Sequence, residues 1–143
     1  MTQTSSQTAW PGAPLLWEWN KEPELKLSLE IRRCDNVAVV ACKGRIVYGN
    51  EVEALSYTVA DLFPQSRQLV LELSQVETMD GAGLGELLAL LALAQARGCT
   101  MKLAAPSKAV RELLELTRVA SAFEIHATVN DALRVAHARA QAV

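Results

Sequence analysis

The segment at residues 69–98, LVLELSQVETMDGAGLGELLALLALAQARG, decides the fold because it joins a strand pattern to a helix pattern through a tight polar turn. Its first part, residues 69–74, is a β-favouring run with two alternating faces, which predicts an inner strand with one end near solvent. Asp80 follows, and its carboxylate is placed to accept a hydrogen bond from the backbone N–H of Ala82 or Gly83. The segment therefore predicts a strand, a turn and a helix that Asp80 caps.

The helix in this segment is apolar on almost every side. At 3.6 residues per turn, one side is expected to lie against the sheet, and the opposite side consists of small residues. A helix that is apolar all round is normally covered by something, either a neighbouring helix of the same domain or a partner protein. The sheet side comprises Leu84, Leu87, Leu88, Leu91 and Gln95, and the small-residue side comprises Ala82, Gly85, Ala89, Ala92 and Ala96, with Leu93 beside it.

Length and composition predict one globular domain. Half of the 143 residues are hydrophobic, which is enough for a core, and the formal net charge of −2 gives no field that favours nucleic acid. Cys34, Cys42 and Cys99 show no metal-ligand spacing, so they are interpreted as small thiols in a reducing compartment, and no metal site is expected. The N-terminal residues lack the pattern of an ordinary signal peptide, and no apolar run is long enough to span a bilayer. A cytoplasmic protein is predicted.

Composition sets residues 1–24 apart as an N-terminal extension, and the domain is predicted to comprise residues 25–143. The polar start, TQTSSQT, predicts disorder. The following run, WPGAPLLWEWNKEP, holds Trp10, Trp17 and Trp19, whose indoles are costly to leave in water. Two interpretations stay open: the tryptophans fold back onto the domain as a strap, or they dock on a partner or a second copy of the chain.

The rest of the chain alternates strand and helix patterns. Residues 25–32 and 37–42 are predicted to form the two strands of a hairpin around an Asp-Asn turn. The predicted order β-β-α-β-α-β-α-β-α describes an α/β domain with a mixed, mainly parallel sheet of about four or five strands and about four helices. The remaining predictions are a helix at 51–63 with Asn50 as N-cap, Gly98 as the end of the central helix, a strand at 100–105, a helix opened by Ser107, an edge strand at 123–126 and a closing helix at 128–138.

No residue pattern in the sequence indicates catalysis. The run GAGLG at 81–85 follows a strand, but Glu86 stands where the dinucleotide-binding fingerprint needs a small residue. The next strand also lacks the acidic residue that this fingerprint requires at its end. His126 and His137 have no acidic partner that their spacing suggests. No enzyme activity and no cofactor are therefore expected.

The turn at 79–85, MDGAGLG, resembles the D-S/T-x-G-L-G signature of the STAS family, a domain shared by sulphate transporters and bacterial anti-sigma factor antagonists. The hydrophobic strand before it and the Leu/Ala helix that ends in ARG fit the same resemblance. The run PSKAVRELL at 106–114 is similar to the family's S-P-A-V-R-x-L-L-x-x-T-G helix. The resemblance covers residues 25–138, essentially the whole predicted domain.

This resemblance implies a binding module rather than a catalyst. In the antagonist branch, the unphosphorylated domain binds an anti-sigma factor kinase and frees a sigma factor, and phosphorylation of the hydroxyl residue just after the Asp breaks that complex. Here Gly81 occupies the phosphoacceptor position and Ala82 follows it, so neither carries a hydroxyl. Thr78 lies before the cap and is interpreted as structural. The expectation is a regulatory module that phosphorylation at the usual site does not switch.

The predicted partner surface consists of the loop at 44–50, the turn at 80–83 and the small-residue side of the helix. Where antagonists often carry an acidic residue in that loop, this chain has Ile46, Val47 and Tyr48, which makes the expected surface more apolar. Asp80 is expected to fix the loop, while glycines permit close backbone approach and alanines supply flat packing area. The predicted partner-binding residues are Val47, Tyr48, Asp80, Gly81, Ala82, Gly83, Gly85 and Ala89.

The kind of partner stays open at the level of sequence. The leading expectation is an anti-sigma factor, a kinase-like protein or another STAS protein, including a second copy of this chain as a homodimer. A cytoplasmic accessory subunit of a membrane transporter is one alternative, in which membrane contact occurs only through the partner subunit. A small-ligand sensor is the other. Nucleic acid is not expected as a partner in any of these.

Overall fold

Strands and helices alternate after an opening hairpin, in the order that the sequence predicts. The computed structural model describes residues 25–142, and the predicted extension with its three tryptophans lies outside these residues. The elements are β1 (Leu27–Cys34), β2 (Val37–Ile46), α1 (Asn50–Leu62), β3 (Gln68–Met79), α2 (Gly81–Ala96), β4 (Thr100–Ala104), α3 (Lys108–Thr117), a 3₁₀ turn (Ala120–Ala122), β5 (Glu124–His126) and α4 (Val129–Ala142).

The sheet is mixed and mainly parallel, as predicted. Its five strands lie in the order β1-β2-β3-β4-β5, so β3 is central. β1 and β2 pair antiparallel, and the other neighbouring strands pair parallel. Each parallel pair is joined through a helix because a tight turn cannot connect two parallel strands.

Helices cover both faces of this sheet, and the sheet separates two hydrophobic cores. The main core lies on the face covered by α1, α2 and α3, and includes Leu71 of β3 and Leu87 of α2, both fully buried. A smaller core lies on the opposite face, where Ala132 and Ala136 of α4 pack against Val39 and Val70. The small alanine side chains let α4 lie close to the sheet.

The rotation of α2 about its axis differs from the prediction by part of a turn. The buried stripe contains Leu84 and Leu87 as predicted, but it continues through Leu90 and Ala94. The predicted core residues Leu88 and Leu91 are only half-buried, and Gln95 is exposed. In a helix that is apolar nearly all round, periodicity alone does not fix the rotation, so the close contacts of the folded chain decide it.

The ends of the helices follow the predicted caps with one correction. Asp80 and Ser107 accept hydrogen bonds from backbone N–H groups at the starts of α2 and α3, and Gly98 takes a positive φ of 70° after α2. The prediction of Asn50 as the N-cap of α1 is wrong, because Gly49 occupies that position without a side-chain cap. Gly49 has a φ of 111°, which glycine adopts without the strain that a side chain would add.

Within the described residues, none of the helices combines the length and the apolar character needed to cross a bilayer.

Candidate functional site

Asp80 joins the two segments of the predicted surface. Its Oδ1 accepts a hydrogen bond from the Gly83 N–H at 2.9 Å, which caps α2 as predicted. Its Oδ2 accepts another from the Tyr48 N–H at 3.0 Å, and its own N–H donates to the Ile46 carbonyl oxygen at 3.3 Å. The Asp80 carboxylate therefore caps the N-terminus of α2 and also holds the loop between β2 and α1 beside it.

These hydrogen bonds change the acidity of Asp80. The bond from the Tyr48 N–H is the largest cause that holds the pKa of Asp80 below its ordinary value of 3.8, and burial opposes it. The N–H groups of Gly83 and Ala82 act in the same direction, as expected for a carboxylate at a helix N-terminus. Asp80 is therefore ionised at neutral pH, and its charge helps to hold the site together.

Asp80→Asn should remove the hydrogen bond from the Tyr48 N–H and the negative charge of the side chain. The Asn amide oxygen is able to retain the cap to Gly83, but an amide nitrogen cannot accept from the Tyr48 N–H, so the free energy of unfolding should fall by about 1 to 2 kcal/mol at pH 7. A depressed carboxylate pKa stabilises the fold above its unfolded value and loses that effect as the pH falls through the folded pKa. The difference between wild type and variant should therefore shrink below pH 3.8.

Urea unfolding at a series of pH values measures this difference. Asp61→Asn is a suitable control because Asp61 is exposed on α1, and its effect should stay within about 0.5 kcal/mol throughout. A difference between wild type and the Asp80→Asn variant that is the same at pH 7 and in acid would contradict the assignment.

Gly83 brings α2 into direct contact with the loop. A Cβ at this position would lie 2.2 Å from the Ile46 carbonyl oxygen and 2.9 Å from Met79 Cγ, so only glycine fits. Gly83 is buried, and the close approach that the sequence assigns to a partner is made instead to Ile46 of the same chain. Gly81 differs, because it is exposed and a Cβ there would meet nothing within 4 Å.

Of the remaining predicted partner-binding residues, Val47, Tyr48, Asp80, Gly81 and Ala82 follow the C-terminal ends of β2 and β3, where Ile46 and Met79 are paired, and Gly85 and Ala89 lie further along α2. They differ in how far solvent reaches them, and Tyr48 stands out because its side chain is 83% exposed. We call this surface the Asp80 platform. It consists of the exposed residues Tyr48, Gly81, Gly85 and Ala89 and the half-buried residues Val47, Asp80 and Ala82.

Tyr57 is an exposed aromatic residue that the sequence analysis did not select. It lies on α1, which packs beside α2 on the same face of the sheet, and it is 77% exposed. The signal was present in the sequence, since Leu55 and Val59 are buried at helical spacing and place Tyr57 on the opposite side of α1. Tyr57 therefore adds a second exposed aromatic side chain to this face of the molecule.

Both histidines have acidic neighbours that were not selected from the sequence. His126 Nε2 lies 2.8 Å from Glu124 Oε2, and His137 Nε2 lies 3.5 Å from Asp35 Oδ2. The second pair joins the turn between β1 and β2 to α4 and arises only from tertiary packing. In the part of the chain that the structure describes, no group of three or more His, Cys, Asp or Glu side chains is placed to hold a metal ion.

The fold of the described residues is that of one protein family. A family model for the STAS domain matches residues 28–132, and the chain belongs to this family. The match covers the sheet from β1 to β5 together with the Asp80 platform.

Solved structures of similar proteins agree with this assignment. An anti-sigma factor antagonist from Mycobacterium paratuberculosis is 26% identical with a TM-score of 0.66, and the match covers 76% of this chain and 92% of that one. A putative anti-sigma factor antagonist from Thermotoga maritima is 22% identical with a TM-score of 0.68, over 74% and 92% of the two chains. The Bacillus antagonist SpoIIAA in its unphosphorylated form is 17% identical with a TM-score of 0.66, over 78% and 97%. The last two similarities show a shared fold.

Proposed function

We propose that this protein is a regulatory protein-binding module of the anti-sigma factor antagonist type, which acts without catalysis and without phosphorylation at the usual position. The observation that carries the proposal is the Asp80 platform, where a turn held by two hydrogen bonds adjoins an exposed helix face of small residues. The similarity to an antagonist at 26% identity supports the same class of partner, an anti-sigma factor or a kinase-like protein.

The composition of the platform suits a protein partner. Gly85 and Ala89 are exposed on α2, and they lose no side-chain rotamer entropy when a partner covers them. Tyr48 is an exposed amphipathic side chain of the type that is enriched at protein interfaces. Its backbone is already held by Asp80, so the loop needs little further ordering when it binds.

The residues after Asp80 leave this module without the usual phosphorylation switch. A phosphate there would add close to two negative charges beside an ionised carboxylate and would disturb a packed interface. Gly81 and Ala82 offer no hydroxyl to receive it, although the space around Gly81 is open. The proposed module is therefore not switched by phosphorylation at this position.

Ala89→Arg tests the proposal directly. A long charged side chain in the middle of a flat apolar contact should weaken the affinity for the partner at least tenfold, which corresponds to about 1.4 kcal/mol. Ala138→Arg is the matched control, because Ala138 is also an exposed helical alanine but lies on α4 at the opposite face of the sheet. Partners captured with tagged full-length protein in its own cells are identified by mass spectrometry, and calorimetry with the purified partner gives the affinities.

The identity of the captured protein separates the functional classes. A soluble anti-sigma factor or kinase-like protein lost with Ala89→Arg and retained with Ala138→Arg supports the proposal. Capture of an integral membrane protein would support the transporter-subunit alternative instead. A bound small molecule in the native mass spectrum, with no protein partner, would favour a ligand sensor. Equal affinity of the two variants would remove the Asp80 platform from consideration.

A further inference from the structure

The outer side of α1 carries an aromatic residue that is not part of either hydrophobic core. Tyr57 is 77% exposed, although burial of a tyrosine ring is normally a large source of stability. Leu55 and Val59 of the same helix are buried in the main core, so they place Tyr57 on the opposite side of α1. Tyr57 therefore adds little to the stability of its own domain and is accessible to a partner.

Two carboxylates flank Tyr57 along the same side of α1. Glu53 precedes it by four residues and Asp61 follows it by four residues, so each lies about one helical turn away. Both residues are exposed. Within the described residues, no ion pair neutralises either carboxylate. We call Glu53, Tyr57 and Asp61 the Tyr57 stripe.

The helices on this side of the molecule carry charge of one sign. Asp80, whose carboxylate is ionised at neutral pH, lies at the start of α2, and the loop segment at 44–50 has one basic residue, Arg45, which belongs to β2. A surface of one sign attracts partners of the opposite sign. Neither α1 nor α2 contains a lysine, an arginine or a histidine, and their acidic residues are Glu51, Glu53, Asp61 and Glu86.

An arginine side chain matches the chemistry of the Tyr57 stripe. Its guanidinium group is planar, so it stacks on an aromatic ring and donates hydrogen bonds to a carboxylate at the same time. The ring of Tyr57 supplies the aromatic face, and Glu53 and Asp61 supply carboxylate acceptors on either side of it. A lysine ammonium carries the same charge but lacks the planar group that stacks.

We propose that the Tyr57 stripe binds an arginine of the protein partner, and that this partner presents a basic surface to the stripe and the Asp80 platform together. The inference rests on the proposed function and adds the charge of the partner to it. α1 packs beside α2, and packed helices lie about 8 to 10 Å apart. A standard interface covers about 800 Å² of each partner, which is enough to include both helices.

The charge of this surface opposes a second copy of the chain as the occupant. A two-fold dimer brings the same surface of both copies together. That arrangement would place Glu53, Asp61 and Asp80 opposite an identical set of carboxylates, and like charges across an interface disfavour association. The surface therefore fits a different, basic protein.

Binding kinetics with the protein captured by the full-length chain test the charge of the partner. The association rate should fall at least roughly tenfold between about 0.02 M and about 0.5 M salt, because salt screens the attraction between oppositely charged surfaces. Glu53→Gln combined with Asp61→Asn should slow association about threefold or more at low salt. Glu115→Gln is the control, because Glu115 is an exposed glutamate on α3, and it should leave the rate unchanged. Equal association rates at the two salt concentrations would overturn the proposal.

Substitutions of Tyr57 test the contact with arginine. Tyr57→Leu keeps an apolar side chain but removes the aromatic face, and it should weaken the affinity about threefold. Tyr57→Phe keeps the ring and should retain most of the affinity. Both variants should unfold like the wild type, because the side chain is exposed. Equal affinities of the Leu and Phe variants would contradict the arginine contact.

A tetra-arginine peptide with blocked ends tests the stripe without the partner. In NMR spectra of the labelled full-length chain at low salt, the peptide should shift the signals of Tyr57 more than those of Leu116, an exposed residue of α3. A tetra-lysine peptide should shift Tyr57 less, because ammonium groups do not stack on the ring. Equal shifts at the two residues, or equal effects of the two peptides, would overturn the proposal.

The outcomes separate this inference from the proposed function. Failure to capture any protein would count against the proposed function, and the peptide titration would still decide whether the stripe binds arginine. A captured partner whose association rate does not depend on salt would reject this inference alone. A mass in light scattering that doubles with concentration, and returns to that of one copy in Tyr57→Leu, would assign the stripe to a second copy and also overturn it.

Discussion

Gly83→Ala is expected to destabilise the protein by about 2 to 4 kcal/mol, whereas Gly81→Ala, two residues earlier, should leave its stability within about 1 kcal/mol of wild type. Both residues lie in the first turn of α2. The contrast arises from their surroundings, because the substitution adds the same methyl group in both cases.

The atoms near Gly83 cannot move apart without a loss of stabilising contacts. The added Cβ would lie 2.2 Å from the carbonyl oxygen of Ile46, which is a backbone atom. The same oxygen accepts the hydrogen bond from the Asp80 N–H, so a displacement of the loop would also disturb the cap of α2. At Gly81 a Cβ meets nothing within 4 Å, and replacing a helical glycine with alanine reduces the entropy of the unfolded chain.

Chemical denaturation of the two variants, with circular dichroism as the signal, measures this contrast. Losses of similar size at the two positions would show that the contact between Gly83 and Ile46 relaxes easily, and that it does not hold α2 against the loop. The Gly81 variant serves as the control for helix propensity, since the same change is made in the same turn.

Leu90→Ala should cost about 2 to 5 kcal/mol of unfolding free energy, and Leu91→Ala, its neighbour along α2, only about 1 kcal/mol. Leu90 is 2% exposed within the main core, so truncation leaves a cavity among side chains that are already packed. Leu91 is half-buried and contacts that core from its margin, so solvent fills much of the space it vacates.

This pair decides between two rotations of the same helix. The spacing of apolar residues predicts Leu91 on the core side and does not select Leu90, whereas the structure buries Leu90 more deeply. Urea unfolding with a common slope for wild type and both variants measures the two losses. A larger loss for Leu91→Ala would show that α2 has the rotation that periodicity predicts.

The order of strands and helices and most helix ends were predictable because their signals are local. The strand ends were not, since β2 and β3 continue to Ile46 and Met79, past the predicted ends at 42 and 74. The apolar run of β3 indicates an inner strand, Asp80 and Ser107 cap the helices that follow them, and Gly98 adopts the positive φ that ends α2. Asn50 was assigned wrongly for an equally local reason. Glycine and asparagine are both accepted at the N-cap position. Only the backbone path of the loop places Gly49 there instead of Asn50.

The composition of the Asp80 platform was also present in the sequence, but its geometry was not. A carboxylate before a glycine-rich helix start predicts a cap, yet the hydrogen bond that the Tyr48 N–H donates to Asp80 joins residues 32 positions apart. The burial of Gly83 against Ile46 likewise depends on where β2 ends relative to α2.

The amino-acid sequence by itself therefore determined the order of elements, the mixed sheet and the absence of a hydroxyl after Asp80, since these follow from neighbouring residues along the chain. Only the tertiary structure decided the rotation of α2, and only it showed that Gly83 is buried against Ile46 while Gly81 is exposed. The position of β1 at the edge of the described sheet was likewise a result of the tertiary structure. Each of these depends on backbone atoms from distant segments coming within a few ångströms of one another, and no periodicity along one segment carries that information.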